Sequence, residues 1–127
     1  MLANHDAQAT VAVKSLETAR PFYAEVLGLE PAGGGEPSVQ GYRCGGTVVL
    51  VYESEFAGTN KATVVTWPLG EAFDEVVAGL RGKGVTFETY DFPDGRVEDG
   101  VHVFGDMKVV WFKDPDGNIL SCGNYKA

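Results

Sequence analysis

The sequence predicts an α+β fold of two βαβββ modules, on three observations. Apolar residues gather in short, β-branched runs of strand length, bounded by glycine, proline and asparagine. Two stretches, around 16–27 and 71–80, instead place apolar residues at the three-and-four spacing of an amphipathic helix, and glycine follows each. The chain also overlays itself. At an offset of 53, Ala9 falls on Ala62, Thr10 on Thr63, Val11 on Val64, Leu16 on Leu69, Ala19 on Ala72 and Leu27 on Leu80. The shared strand, helix and glycine stop make each half one unit of a repeat, about 1–58 and about 59–127, within a single domain covering 1–127.

Ala9–Val13 reads as the first strand, buried on at least one face. Ser15 is the candidate N-cap of the first helix, whose stripe is Ala19, Phe22, Tyr23, Val26 and Leu27. Pro21 lacks an amide hydrogen and belongs in a first turn, which predicts a start near Thr18 or later. Gly28 ends it. Gly33, Gly34 and Gly35 form a connection, and Tyr42 with its neighbours and Thr47–Tyr52 supply two more strands. Ala62–Trp67 opens the second module and Pro68 stops it; Phe73, Val76, Val77 and Leu80 mark the second helix. Val85–Tyr90, Val101–Phe104 and Lys108–Lys113 read as strands. Asp114-Pro115-Asp116-Gly117-Asn118 is turn chemistry, and Ile119–Cys122 returns as the partner strand.

Composition narrows the function. The chain has 127 residues, 44% hydrophobic and 22% charged, enough for one folded core. Its net charge of −8 repels both a phosphate backbone and an anionic lipid surface, so neither nucleic acid nor membrane is an expected partner. No apolar run approaches the roughly 20 residues of a bilayer span, and Asn4, His5, Asp6 and Gln8 stand where a signal peptide would be apolar. A cytoplasmic location is expected. Cys44 and Cys122 lie far apart without C-x-x-C spacing, as reduced, buried thiols would.

Two motifs carry a resemblance over nearly the whole chain. Ser15-Leu16-Glu17 leads to Phe22-Tyr23 and Val26-Leu27-Gly28-Leu29 in the first module. Trp111-Phe112-Lys113-Asp114-Pro115-Asp116-Gly117-Asn118-Ile119-Leu120 closes the second. In these the sequence resembles the vicinal oxygen chelate superfamily, which includes glyoxalase I, bleomycin-resistance proteins and extradiol dioxygenases. The resemblance implies a curled, cup-shaped mixed sheet with helices outside and the ligand or metal inside the cup. It also implies a homodimer.

In the superfamily's enzymes a divalent metal is held by His, Gln or Glu from the first and fourth strands of each module. Carried onto this chain, those positions fall on Gln8, Leu50, Lys61 or Ala62, and Ser121. Gln8 offers an oxygen, Leu50 and Ala62 offer hydrocarbon, Lys61 repels a cation, and the Ser121 hydroxyl is a weak substitute for carboxylate. No metal and no cofactor are expected.

The remaining chemistry-bearing residues are few. Alternation puts His102 and Phe104 on one side of their strand, opposite Val101 and Val103. His102 is then either a ligand contact or acid-base group, or a strand histidine held by a hydrogen bond; His5 lies in a frayed terminus. Tyr42, Tyr52, Phe56, Trp67, Phe104 and Trp111 supply planar surface for core packing or for a flat ligand. Arg43, Lys61, Asp106 and Lys108 are candidates to orient a ligand at the mouth. The glycine run lacks the Lys-Ser or Lys-Thr of a phosphate loop, no Gly-x-Ser-x-Gly occurs, and Asp114 and Asp116 flank a turn proline. No catalytic residue is assigned.

The resemblance to bleomycin-resistance proteins therefore implies a metal-free binding protein for a small organic ligand, aromatic or cationic. The expected contacts are Gln8, Leu50, Tyr52, Phe56, Lys61, His102, Phe104, Trp111 and Ser121. The alternative is a metal-dependent lyase, isomerase or dioxygenase using displaced ligands such as Gln8 and His102; a structural or interaction role is the third.

Overall fold

Backbone hydrogen bonds sort the strands into two separate mixed sheets, one in each half of the chain. The computed structural model describes residues 1–33 and 37–126; Gly34 and Gly35 of the glycine run lie outside them. The chain divides into two compact units, Met1–Asn60 and Lys61–Ala127. No helix among the described residues is long and apolar enough to cross a membrane.

Unit one runs β1 (Thr10–Val13), α1 (Leu16–Arg20), β2 (Glu30–Ala32), β3 (Val39–Cys44) and β4 (Thr47–Glu53). Its sheet has the order β1-β4-β3-β2, with β1 parallel to β4 and the other pairs antiparallel. Two-residue alternation gives the sheet two faces. Val11, Val13, Tyr42, Val49 and Val51 are buried together with Ala19 and Tyr23 of the helical segment, whose Tyr23 ring stacks on Tyr42 at 5.7 Å. Leu50 and Tyr52 alternate onto the other face of β4.

The first helix begins earlier than the proline rule predicts. Ser15 caps it, its hydroxyl accepting from the Thr18 amide at 3.3 Å, so Leu16 is already helical. Pro21, which cannot supply the next helical hydrogen bond, sits where the α-helix ends and the chain rewinds into a wider π-helical run, Pro21–Val26. The Leu27 amide then reaches back five residues to the Phe22 carbonyl at 2.9 Å. Gly28, at φ 73°, ends the segment.

Unit two runs β5 (Thr63–Pro68), α2 (Phe73–Gly82), β6 (Arg96–Glu98), β7 (Val101–Phe104), β8 (Met107–Lys113) and β9 (Ile119–Gly123). Its sheet has the order β5-β9-β8-β7-β6, with β5 parallel to β9. The short edge strand β6, absent from the sequence reading, is joined to β7 by Asp99-Gly100, both at positive φ, as a tight hairpin requires. The buried stripe of α2 is Phe73, Val77 and Leu80, and its Phe73 and Val77 share a groove with Val101 and Val103. Pairing register then assigns Val110, Phe112, Leu120, Cys122 and Val65 to that same face. His102, Phe104, Val109, Trp111, Ser121 and Thr66 alternate onto the other.

The closing turn fixes the β8–β9 register. Buried Asp114 accepts from the Asp116 and Asn118 amides, each at 2.9 Å, and from the Asn118 side-chain amide at 2.8 Å. Cys122 is buried and Cys44 half-buried, and both are free thiols, so Cys44 is less enclosed than expected. Val85–Tyr90 is not a strand. It makes one bridge, Phe87 to Phe112, and beyond it the backbone of Tyr90 turns to a side chain instead of a neighbouring strand.

Candidate functional site

That side chain is His102. It is 1% exposed, and its Nε2 accepts from the Tyr90 amide at 2.9 Å while lying 3.1 Å from the Tyr90 carbonyl oxygen. The bond pins the segment after Phe87 across the helix-free face of β7 and β8. It thereby brings Tyr90 and Phe92 onto the rings that these strands already present.

Five rings result. His102 and Trp111 meet edge to face at 4.9 Å, and Tyr90 packs on Trp111 at 5.6 Å. Phe92 is the hub, with its centroid 5.4 Å from Phe104, 5.5 Å from Trp111, 5.7 Å from His102 and 6.4 Å from Tyr90. It is also 38% exposed, a ring carried on a loop at the surface of the cluster it holds together. Beside it opens a pocket of about 410 Å³, lined by Tyr90, Asp91, Phe92, Arg96, Val97 and His102 among others. That volume is in the range of small-molecule sites.

Polar groups at the cluster are few, and two have no hydrogen-bond partner among the described residues. His102 Nδ1 and the Tyr90 hydroxyl are both buried without a hydrogen bond. Burial first, then the nearby Glu88 carboxylate, pushes the Tyr90 hydroxyl above its ordinary value of 10.0, against a smaller opposing effect of Lys113, so it stays protonated at neutral pH. Trp111 is satisfied, donating from Nε1 to the Thr63 hydroxyl at 3.2 Å. Ser121, paired in register with Thr66, lies 2.8 Å from its hydroxyl.

The expected site residues thus divide. His102, Phe104 and Trp111 come together, and Ser121 stands on their face, opposite Trp111 in the register. Gln8, Leu50, Tyr52 and Phe56 belong to unit one: Gln8 is exposed before β1, Leu50 is half-buried on β4, and Tyr52 and Phe56 are exposed. Lys61 is exposed ahead of β5. Of the other aromatics, Tyr42 is core, and Trp67 pairs with Cys122 on the helix-bearing face. Lys108 lines the groove beside Phe73 and Asp74, so it does not orient a ligand at the ring cluster; Asp106 and Arg43 are exposed. Tyr90 and Phe92 are the residues that sequence reasoning missed. No periodic signal marks them, because the Tyr90–His102 bond, formed across 12 residues, decides their place.

Comparison with known proteins gives the lineage. Residues 6–121 match the sequence profile of the Glyoxalase/Bleomycin resistance protein/Dioxygenase superfamily. The chain belongs to this superfamily. No curated protein matches it in sequence. Among solved structures it is similar to a glyoxalase family protein from Enterococcus faecalis (22% identity, TM-score 0.71, covering 97% of this chain and 99% of that one). It is also similar to a lactoylglutathione lyase from Agrobacterium tumefaciens (18%, 0.67, 94% and 92%) and to the fosfomycin resistance protein FosX from Listeria monocytogenes (15%, 0.65, 98% and 93%). At these identities the likeness is one of fold.

The superfamily's metal positions, carried onto this chain, do not suit a divalent ion. Gln8 offers an amide oxygen, but Leu50 has no donor atom, the third position is either the Lys61 ammonium or the Ala62 methyl, and the Ser121 hydroxyl is already engaged by Thr66. Among the described residues no three His, Cys, Asp or Glu side chains gather where they could hold one.

Proposed function

We propose that this member of the superfamily binds a small, planar organic molecule on the aromatic face of unit two, without a resident metal. The observation that carries the reading is the five-ring cluster with its adjoining pocket: a surface ring held mainly by other rings, beside two buried polar atoms that have no hydrogen-bond partner among the described residues. Aromatic faces bind flat molecules by burial and stacking, and also hold cations, whereas the donor set at the superfamily's metal positions supports no Lewis-acid role. His102, Phe104 and Trp111 are the contacts, with Tyr90 and Phe92 added and Ser121 on the same face.

A thermal-shift panel of planar aromatic compounds tests it. A specific ligand at a hundred times its Kd stabilises by about 2.7 kcal/mol, or roughly 10 °C for a chain of this size. The enzymatic alternative, a metal-dependent lyase, isomerase or dioxygenase, is favoured by stoichiometric zinc, nickel, iron or manganese in elemental analysis of the purified protein. A panel without any shift removes the binding reading.

A further inference from the structure

The two unpartnered atoms narrow the chemistry of the ligand. The hydrogen of the Tyr90 amide is fixed by the peptide plane and points at His102 Nε2, 2.9 Å away. Nε2 also lies 3.1 Å from the Tyr90 carbonyl oxygen, the longer of its two contacts; the neutral tautomer that receives the shorter one makes Nε2 the acceptor and sets the ring hydrogen on Nδ1. Nδ1 then presents an N–H, buried, with no acceptor among the described residues. Native interiors rarely leave a donor in that condition, and an exception of this kind asks for an acceptor from outside the chain.

The surroundings say which acceptor. The rings around Nδ1 carry no charge, and the charged groups lining the adjoining pocket are Asp91 and Arg96, the latter already paired with Glu98 at 2.9 Å. A ligand carboxylate would be buried among rings without a free counter-charge, which is unfavourable, and a ligand cation would meet an N–H instead of a lone pair. An uncharged carbonyl oxygen suffers neither penalty. Nδ1 is sealed from solvent, so a ligand reaches it by displacing a ring, and Phe92 is the exposed ring packed on His102.

We propose that the site takes an uncharged planar aromatic carbonyl compound, a lactone, ketone or amide. Its carbonyl oxygen accepts from His102 Nδ1–H, and the Tyr90 hydroxyl serves as a second polar contact once Phe92 swings aside. The proposal rests on the reading of the aromatic face as the binding site.

The test is calorimetric titration of the full chain with three planar probes: coumarin; 2H-chromene, the same bicycle with a methylene in place of the carbonyl; and N-methylquinolinium, a cation of similar size. Coumarin is expected to bind on the order of tenfold tighter than chromene, the worth of one buried hydrogen bond. His102→Phe should erase that preference while leaving chromene affinity in place, and Tyr90→Phe should reduce it by a smaller factor. Because His102→Phe also strips the Tyr90 amide of its acceptor, a nitrogen-15 NMR titration of the unaltered protein gives an independent reading. The His102 Nδ1–H signal should move with coumarin and stay in place with chromene. Equal affinities for coumarin and chromene, or tightest binding of the cation, overturn the carbonyl assignment and leave the aromatic site standing. Failure of all three probes to bind overturns both.

Discussion

Removing the Phe92 ring separates a ring that plugs the site from a ring that forms its wall. Phe92 is a little over three-fifths buried, and its ring packs against four others. Full burial makes Phe→Ala cost about 3–5 kcal/mol, so Phe92→Ala should cost about 2 kcal/mol, partly softened because the gap lies open to solvent. Thermal denaturation should show that as a fall in Tm of roughly 6–10 °C. If the ring must leave before a ligand enters, the same 2 kcal/mol opposes binding in the unaltered protein. The alanine variant, spared it, should bind coumarin up to roughly 30-fold tighter. Stability and affinity thus move in opposite directions, and calorimetric titration beside a melting curve measures both. A fall in affinity would show that Phe92 stacks on the ligand as a wall, and an unchanged affinity that the ligand sits elsewhere; either result refutes the reasoning.

Asp114→Ala removes an acceptor of three hydrogen bonds from a buried turn and should destabilise by about 3–5 kcal/mol in chemical denaturation. Gly95→Ala would set a methyl 2.6 Å from the Phe104 ring, so the ring or the loop must shift; a stability loss of about 1–3 kcal/mol and weaker binding of planar probes are expected. Burial pushes the Cys122 thiol from its ordinary value of 9.0 up to about 12, so iodoacetamide at pH 8 should leave Cys122 unlabelled in the native protein and label it after denaturation, as mass spectrometry would show. The same shift has a sign. The raised thiol favours the fold fully below pH 9, and that contribution is lost as pH climbs towards 12, so Cys122→Ala should flatten the alkaline end of the stability profile.

What the sequence could and could not foretell follows from the range of the interactions involved. The strands of the second sheet from Val101 onward, the closing turn and the glycine stops are local matters of alternation and turn chemistry, and they are found where those rules put them. The edge strands Glu30–Ala32 and Arg96–Glu98 span three residues each, too short for any period to register. Pro21 misled because the proline rule assumes that the helix on either side keeps its α geometry, whereas here the backbone widened around the missing hydrogen bond.

The site shows the same division more sharply. His102, Phe104 and Trp111 were legible because a strand's two-residue alternation decides their side. Tyr90 and Phe92 were not, because their place is decided by one hydrogen bond between a backbone amide and a side chain 12 residues further on, which leaves no periodic trace. Val85–Tyr90 has the composition of a strand, and alongside Trp111 it still donates like one, from the Glu88 amide to the Trp111 carbonyl at 2.7 Å. What diverts it is an imidazole standing where the next strand partner would be. The two nitrogens of that ring then do different work. Nε2 holds the loop that carries Phe92 onto the cluster, and Nδ1 is left buried without a hydrogen-bond partner among the described residues, so the bond that hid the site from the sequence is also what shapes its chemistry.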